Sequence, residues 1–241
     1  MTLVIERVAA FEDNYIWMIS NGTECVAVDP GQAGPVIAYL EATGQRLAGI
    51  LVTHWHGDHQ GGVQDLLKRY PGIPVTGSAK TLACGSELVK EGHHVDVLGA
   101  QFDVVEVPGH TLDHVAYLSQ SPLLPFPVAF TGDTMFVAGC GRLFEGTAAQ
   151  MYDSLHKIDQ YPAETRIYCA HEYTLSNLTF AAVAEPSNVD IQARLDHVRA
   201  CRARDEATVP STLAEERLTN PFLRANSAEA LAVLRQQKDQ F

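Results

Sequence analysis

With 241 residues, 46% hydrophobic and 19% charged, the chain is long enough to bury one large core or two modest ones, which excludes a disulfide-stapled peptide and a disordered tail. Seventeen Lys+Arg against twenty-nine Asp+Glu leave a formal net charge of −12, which excludes general attraction to nucleic acid or to an anionic membrane as the basis of binding. The charge is uneven: residues 1–173 carry nine Lys+Arg against twenty Asp+Glu, and residues 174–241 eight against nine.

Residues 3–10, 15–20 and 24–29 read as short strands separated by Glu12-Asp13-Asn14 and Asn21-Gly22, a meander-like opening. Pro35 to Ala42 reads as a helix ended by Gly44, Leu47–Thr53 as a buried strand, and Gly62–Tyr70 as a helix that stops before Pro71. Strands follow at about 101–107, 114–119 and 127–131, then a helix at about 147–159 and a strand at Arg166–Ala170. Strands interleaved with helices indicate an α/β architecture of sheets covered by helices. After His171 the pattern turns helical, over Leu175–Ala184, Val189–Glu206, Thr212–Leu218 and Ala228–Gln237, with Ser187 and Ser227 as expected N-caps. A domain boundary is expected near residue 173, giving a first domain of 1–173 and a helical domain of 174–241. The charge split falls at the same place.

The start, Met1 to Arg7, lacks a basic region followed by a sustained apolar stretch, so no secretory signal is expected. No run of about 18 apolar residues suggests a membrane span. The cysteines (Cys25, Cys84, Cys140, Cys169 and Cys201) are odd in number and lack CxxC spacing, which favours free thiols and a cytoplasmic address. Each reads first as a small buried apolar side chain. Cys140 and Cys169 lie near candidate site residues.

Directly after the strand Leu47–Thr53 comes His54-Trp55-His56-Gly57-Asp58-His59, an HxHxDH pattern with four potential metal ligands in six residues. Core packing has no use for so many polar groups together, whereas a loop at a strand's carboxyl end turns them towards one point. Later strand ends supply His110, Asp133 and His171. Seven groups exceed the four ligands of one tetrahedral zinc, so two metals fit the count. With Asp133 bridging, His54, His56 and His110 hold one ion, and Asp58, His59 and His171 the other. A lone His or Asp at a strand end is usually structural; the repeated pattern is what argues for metal. His93, His94, His156 and His197 read as solvated or structural, and His114 as a residue packed behind the ligands.

These motifs resemble those of the metallo-β-lactamase superfamily. The matching segments are Asp13-Asn14-Tyr15, Val28-Asp29-Pro30-Gly31, Thr53 to Gly62, Pro108-Gly109-His110-Thr111 and Phe130-Thr131-Gly132-Asp133-Thr134. Gly139 to Gly146, His171-Glu172-Tyr173-Thr174, Asn220 to Arg224 and Arg235 to Phe241 resemble more specifically the glyoxalase II (hydroxyacylglutathione hydrolase) family. Trp55, where members may carry His, and Met135, where Leu is unremarkable, are small departures at positions that are not ligands. The resemblance implies a four-layered αββα sandwich with a two-metal site, zinc foremost with iron or manganese as alternatives, followed by a smaller helical glutathione-binding domain. It implies that Arg142, Tyr173, Arg235 and Lys238 meet glutathione, whose two carboxylates suit converging cations. Asp29, before a Pro-Gly turn, is expected to support a ligand imidazole.

The implied reaction is hydrolysis of an S-2-hydroxyacylglutathione such as S-D-lactoylglutathione, the second step of methylglyoxal detoxification, by a metal-bridging hydroxide. Paired metals lower the pKa of bound water from 15.7 towards about 7, and Asp58 and Asp133 are the expected catalytic carboxylates. A small-molecule thioester is the expected partner, with no nucleic acid and no membrane, and the protein is expected to be a monomer. The competing readings are a persulfide dioxygenase with a single iron, another hydrolase of the same fold, and a non-catalytic glutathione- or metal-binding module. No GxSxG elbow supports a serine hydrolase.

Overall fold

The computed structural model describes residues 2–80 and 87–241, so Cys84 lies outside the described residues. Two six-stranded mixed sheets form its centre. The first runs in the order β1 (Val4–Ala10), β2 (Asn14–Ser20), β3 (Glu24–Val28), β4 (Arg46–Leu51), β5 (Val75–Gly77) and β6 (Glu87–Leu88). Its first three strands are antiparallel and β3 to β6 parallel. The second runs in the order β14 (Ser211–Thr212), β13 (Arg166–Cys169), β10 (Val128–Gly132), β9 (Val115–Ser119), β8 (Ala100–Glu106) and β7 (His94–Val97). There β10 and β13 run parallel and the other neighbours antiparallel. A small ribbon of β11 (Met135–Phe136) and β12 (Gly139–Cys140) follows β10.

Strand alternation sorts the apolar residues into layers. Every residue of β2 is buried. Its Tyr15, Trp17 and Ile19 join Phe102, Val104, Tyr117, Phe130 and Tyr168 of the second sheet in one core, while Ile16 and Met18 face the other way. That outer face is covered by Val36 and Leu40 of α1 (Ala33–Thr43) and Val63 and Leu66 of α3 (Val63–Arg69). On the far side, Ala116, Leu118, Ala129 and Ile167 pack with Met151, Leu155 and Ile158 of α4 (Ala148–Asp159) and Leu231 of α8 (Ala228–Gln240). These are the four αββα layers that the family resemblance implied. Burying each large side chain contributes about 1.5–3 kcal/mol, so the sandwich is a firm base for loops at its edge.

Several elements differ from the sequence reading. The four-residue α2 (Gly57–Gln60) and the two- to four-residue strands β5, β6, β7, β11, β12 and β14 are too short to display a hydrophobic period. After α5 (Thr174–Ala184), α6 (Val189–Arg202) ends four residues earlier than expected, and its N-cap is Asn188 rather than Ser187. The Asn188 side chain accepts the backbone N–H of both Asp190 and Ile191, which the neighbouring serine does not do. Ser227 caps α8 as expected, accepting from the Ala230 N–H at 3.2 Å.

The carboxyl-terminal helices are tied into the sandwich. β14 pairs with β13, and α8 packs on the layer that holds α4. Glu216, in α7 (Leu213–Thr219), is fully buried. Its carboxylate accepts from the Ala138 N–H at 2.7 Å, Arg194 Nη1 at 2.9 Å and Asn220 Nδ2 at 3.0 Å, and also from the Ser211 hydroxyl. It therefore fastens the loop between β11 and β12 to the helical segment. Removing one member of a buried charge network leaves its partners unsatisfied, so Glu216→Ala is expected to cost about 3–5 kcal/mol and lower Tm by about 6–20 °C. Thermal unfolding checks this, and a Tm within 2 °C of the parent protein, about 1 kcal/mol or less, contradicts it.

Candidate metal centre

The ligand candidates converge because several connections leave the same edge of the sandwich. His54 and His56 lie just beyond β4, α2 presents Asp58 and His59, and His110 lies in the connection from β8 to β9. Asp133 sits in the turn after β10, and His171 follows β13. At that edge the Tyr15 N–H donates to the Ala170 carbonyl at 2.7 Å and the Glu172 N–H to the Asp13 carbonyl at 2.9 Å, joining the two sheets beside His171. The turn before Asp133 requires glycine. Gly132 has φ +48°, and a Cβ there would lie 2.4 Å from Thr53 Oγ1 and 2.8 Å from the His114 ring.

Seven side chains meet there. His56 Nδ1 lies 3.1 Å from His54 Nε2 and 3.0 Å from His110 Nε2. Asp58 Oδ2 lies 3.5 Å from His59 Nε2 and 3.4 Å from His171 Nε2. Asp133 spans the two groups: Oδ1 is 3.3 Å from His59 Nε2 and 3.4 Å from His171 Nε2, while Oδ2 is 3.4 Å from His110 Nε2. Potential ligand atoms of His54/His56/His110, of Asp58/His59/His171 and of His54/His59/Asp133 each fall within 4.8 Å of one another.

Hydrogen bonds on the far side of the rings fix which nitrogen faces inward. The His110 Nδ1–H donates to the Arg142 carbonyl at 2.8 Å, the His59 Nδ1–H to Asp29 Oδ2 at 2.9 Å and the His171 Nδ1–H to Asp13 Oδ1 at 2.8 Å. Thr53 Oγ1 donates to Asp29 Oδ2 at 2.7 Å, so the same oxygen accepts from His54 Nδ1 at 3.1 Å. The nitrogen facing the cluster is thereby Nε2 in each of these rings, which in the neutral form carries the lone pair that a ligating imidazole needs. Asp29 also accepts the Thr53 N–H at 2.7 Å, holding the start of the HxHxDH loop. His59 Nε2 and Asp133 Oδ1 are buried with no hydrogen-bond partner among the described residues, despite lying 3.3 Å apart. Buried polar atoms of this kind are costly unless something satisfies them, and a divalent cation between them does. The residues fit a metal.

Without a cation the cluster polarises itself. Burial is the largest single effect on His59 and His171 and lowers their pKa values, but the surrounding carboxylates together outweigh it, Asp133 and Asp29 at His59 and Asp133, Asp58 and Asp13 at His171, and raise them to about 10 and about 11. Burial alone would raise the Asp133 carboxyl; His59 and His171 hold it well below the usual carboxylate range. His54 and His110 are pushed down, chiefly by burial, and remain neutral donors. His114 stacks on His54 at 4.5 Å, and its Nε2 accepts the Asp133 N–H at 3.1 Å. It thus supports the cluster from behind. Asp13 and Asn14 do the same without a functional role having been read from their sequence: Asn14 Nδ2 donates to Asp58 Oδ2 at 3.1 Å. Their one signal was the Asp13-Asn14-Tyr15 segment of the family resemblance.

Beside the cluster lies a cavity of about 580 Å³, whose wall includes His110, Asp133, Arg142, Tyr173, Arg235 and Lys238. The Tyr173 ring stacks on His171 at 4.6 Å. Arg142 is exposed, and its Nε donates to Asp239 Oδ1 at 3.2 Å. Arg235 is only 7% exposed, donating to the Cys140 carbonyl at 2.9 Å and to Asp239 Oδ1 at 3.1 Å, so it is no solvated surface charge. Lys238 donates to the Ser176 carbonyl at 3.0 Å, and burial followed by the nearby Arg235 lowers its pKa to about 8. Burial pushes the Cys140 thiol up to about 11 and Cys169 to about 12, so neither is a ready nucleophile. His94 pairs with Asp103 and His156 with the Tyr152 carbonyl, apart from the cluster.

Comparison with known proteins agrees with the geometry. Residues 10–171 match the family model of the metallo-beta-lactamase superfamily and residues 172–241 that of the hydroxyacylglutathione hydrolase C-terminus. The chain is 46% identical to the hydroxyacylglutathione hydrolase of Photobacterium profundum, covering 99% of this chain and 100% of that one. It is 50% identical to a hydroxyacylglutathione hydrolase of Pseudomonas putida, covering 92% and 86%. Among solved structures, ETHE1 from Myxococcus xanthus superposes with a TM-score of 0.72 at 26% identity, over 97% of this chain and 90% of that one. TTHA1623 in a di-iron-bound form shares the fold, with a TM-score of 0.65 at 21% identity over 91% and 99%. By its full-length relatives, its two family matches and the arrangement of its His and Asp side chains, the chain belongs to the hydroxyacylglutathione hydrolase family of the metallo-β-lactamase superfamily.

Proposed function

We propose that the protein hydrolyses S-2-hydroxyacylglutathione thioesters, such as S-D-lactoylglutathione, to glutathione and a 2-hydroxy acid, as the second step of methylglyoxal detoxification. It works as a cytoplasmic monomer with two divalent ions. The observation that carries this reading is the position of Asp133, one oxygen facing His59 and His171 and the other His110, on the wall of a cavity that Arg142 and Lys238 also line. His54, His56 and His110 would hold one ion, Asp58, His59 and His171 the other, and Asp133 both. The mixed imidazole and carboxylate set suits zinc, and also iron or manganese. Such ions, when bound, supply hydroxide at neutral pH and polarise a carbonyl.

The protein's own residues bind and orient the substrate. Glutathione carries two carboxylates, which suit charge-assisted hydrogen bonds from Arg142 and Lys238. Arg235 keeps α8 against β12 and shares Asp239 with Arg142, so it sets the width of the cleft as well as its charge. Burial raises the Tyr173 phenol, which keeps its proton and can donate to the substrate. Asn14 holds the Asp58 carboxylate in its orientation. The leaving thiol has a pKa near 8.5 if it resembles cysteine, so it departs as thiolate and requires no strong protein acid. The alternative, a persulfide dioxygenase with a single iron, has less support: a second ligand cluster is present, and the relatives at 46% and 50% identity are named as hydrolases.

Incubation with a chelator is expected to abolish hydrolysis of S-D-lactoylglutathione, and added zinc, iron or manganese to restore most of it. Full activity in protein shown to be metal-free sinks the reading. Asp29→Ala leaves His59 without its acceptor, so metal affinity is expected to fall about 10–100-fold; equilibrium metal titration reads this, and an unchanged affinity denies Asp29 its role. Lys238 is cationic below its pKa of about 8 and loses that charge above it. KM for the thioester is therefore expected to rise up to about tenfold between pH 7 and pH 9. Lys238→Arg is expected to flatten that rise, and a parent KM that does not change with pH removes Lys238 from the binding site.

A further inference from the structure

His171-Glu172-Tyr173 joins β13 to α5, and its side chains leave the backbone on two sides. His171 and Tyr173, two positions apart, lie on one side with their rings parallel to within 8°, the first in the ligand cluster and the second on the cavity wall. Alternation along an extended backbone sends Glu172 to the other side. There its carboxylate accepts three hydrogen bonds. The Tyr15 hydroxyl and the Thr208 N–H each donate to Oε2 at 2.8 Å, and the Thr208 hydroxyl donates to Oε1. Bonds to an ionised acceptor are about twice as strong as neutral ones, so this is a firm attachment.

The donors are themselves anchored. Tyr15, in β2 of the first sheet, is buried with its ring edge-on to Trp17 at 5.6 Å. Thr208 belongs to the connection from α6 to β14, and its neighbours Ala207 and Val209 pack into the core between the sheets. Glu172 therefore ties the first sheet and the helical segment to the one residue that stands between a ligand candidate and a cavity-wall phenol. Asp13 holds the same segment by different atoms, accepting the His171 Nδ1–H at its carboxylate and the Glu172 N–H at its carbonyl. The Asp13 carboxylate aims one ring nitrogen, whereas the hold on Glu172 fixes the backbone that sets how far both rings project.

We propose that Glu172 is a positioning residue: its carboxylate, clamped by Tyr15 and Thr208, sets His171 towards the ion position it shares with Asp58 and His59, and Tyr173 towards the substrate. The helical segment thereby supports metal binding as well as glutathione binding. The Tyr173 half of the proposal rests on the hydrolase reading; the His171 half rests on the metal centre alone.

The test is equilibrium zinc titration of the metal-free protein against a competing chelator, with an anomalous-scattering map at partial loading to show which position has lost metal. Glu172→Ala is expected to weaken the ion at Asp58, His59 and His171 about tenfold, the low end for a residue that acts on a ligand from behind, and to leave the ion at His54, His56 and His110 within about twofold. Thr208→Val, which removes one hydroxyl far along the chain from every ligand, is expected to weaken the same ion about threefold, and Thr208→Ser, which keeps both donors, to restore it. At saturating zinc, KM of Glu172→Ala for S-D-lactoylglutathione is expected to be raised about threefold through Tyr173. Unchanged affinities, or equal weakening of both ions as general loosening would give, overturn the proposal. If Glu172→Ala does not fold, the two Thr208 variants decide. The titration needs no thioester, so the selective loss of one ion in a protein that hydrolyses nothing upholds the role of Glu172 at His171 while the hydrolase reading falls.

Discussion

One buried carboxylate governs the layout of this protein. Asp133 faces three imidazoles with its two oxygens, and neither electrostatics nor packing tolerates it there without them. The surrounding structure serves to fix it. Gly132 admits the turn, His114 accepts the Asp133 N–H, and Gly141 leaves room where a Cβ would lie 2.0 Å from the Asp133 carbonyl. The acid is held in place by backbone constraint before any ion is considered.

Around that point the two sheets divide the labour. The first sheet delivers His54, His56, Asp58 and His59 in one loop, held by Asp29 through the Thr53 N–H, the Thr53 hydroxyl and His59 Nδ1. The second delivers His110, Asp133 and His171 from separate connections. Asp13, from the first sheet, crosses back to hold His171. Because ligands and their supporting carboxylates come from both sheets, the buried layer of Trp17, Phe102, Tyr117 and Phe130 sets the accuracy of the site. The helical segment adds the cationic wall, and Glu216 and Arg235 carry its position to the loop around Cys140. An acidic chain thus keeps positive charge where an anionic thioester needs it.

Much of this was legible in the residues. HxHxDH stands out because core packing has no use for four polar ligand groups within six consecutive positions, and His110, Asp133 and His171 each follow an apolar stretch of sequence. What was not legible is long-range or very short. Asp13 and His171 are 158 positions apart, and a lone Asp in a turn carries no mark of its partner. The strands β11, β12 and β14 have two residues each, too few for alternation to register. Asn188 took the cap expected of Ser187 because both residues suit the role, and the backbone geometry decides between them.

In the proposed site Asp133 joins two metal positions. The most direct test is the metal-to-protein ratio of the loaded enzyme, measured together with an anomalous-scattering map at the metal edge. Two ions per chain are expected, one by His54, His56 and His110 and one by Asp58, His59 and His171, with an Asp133 oxygen on each. A single fully occupied ion with the second cluster still metal-free at saturating metal contradicts it.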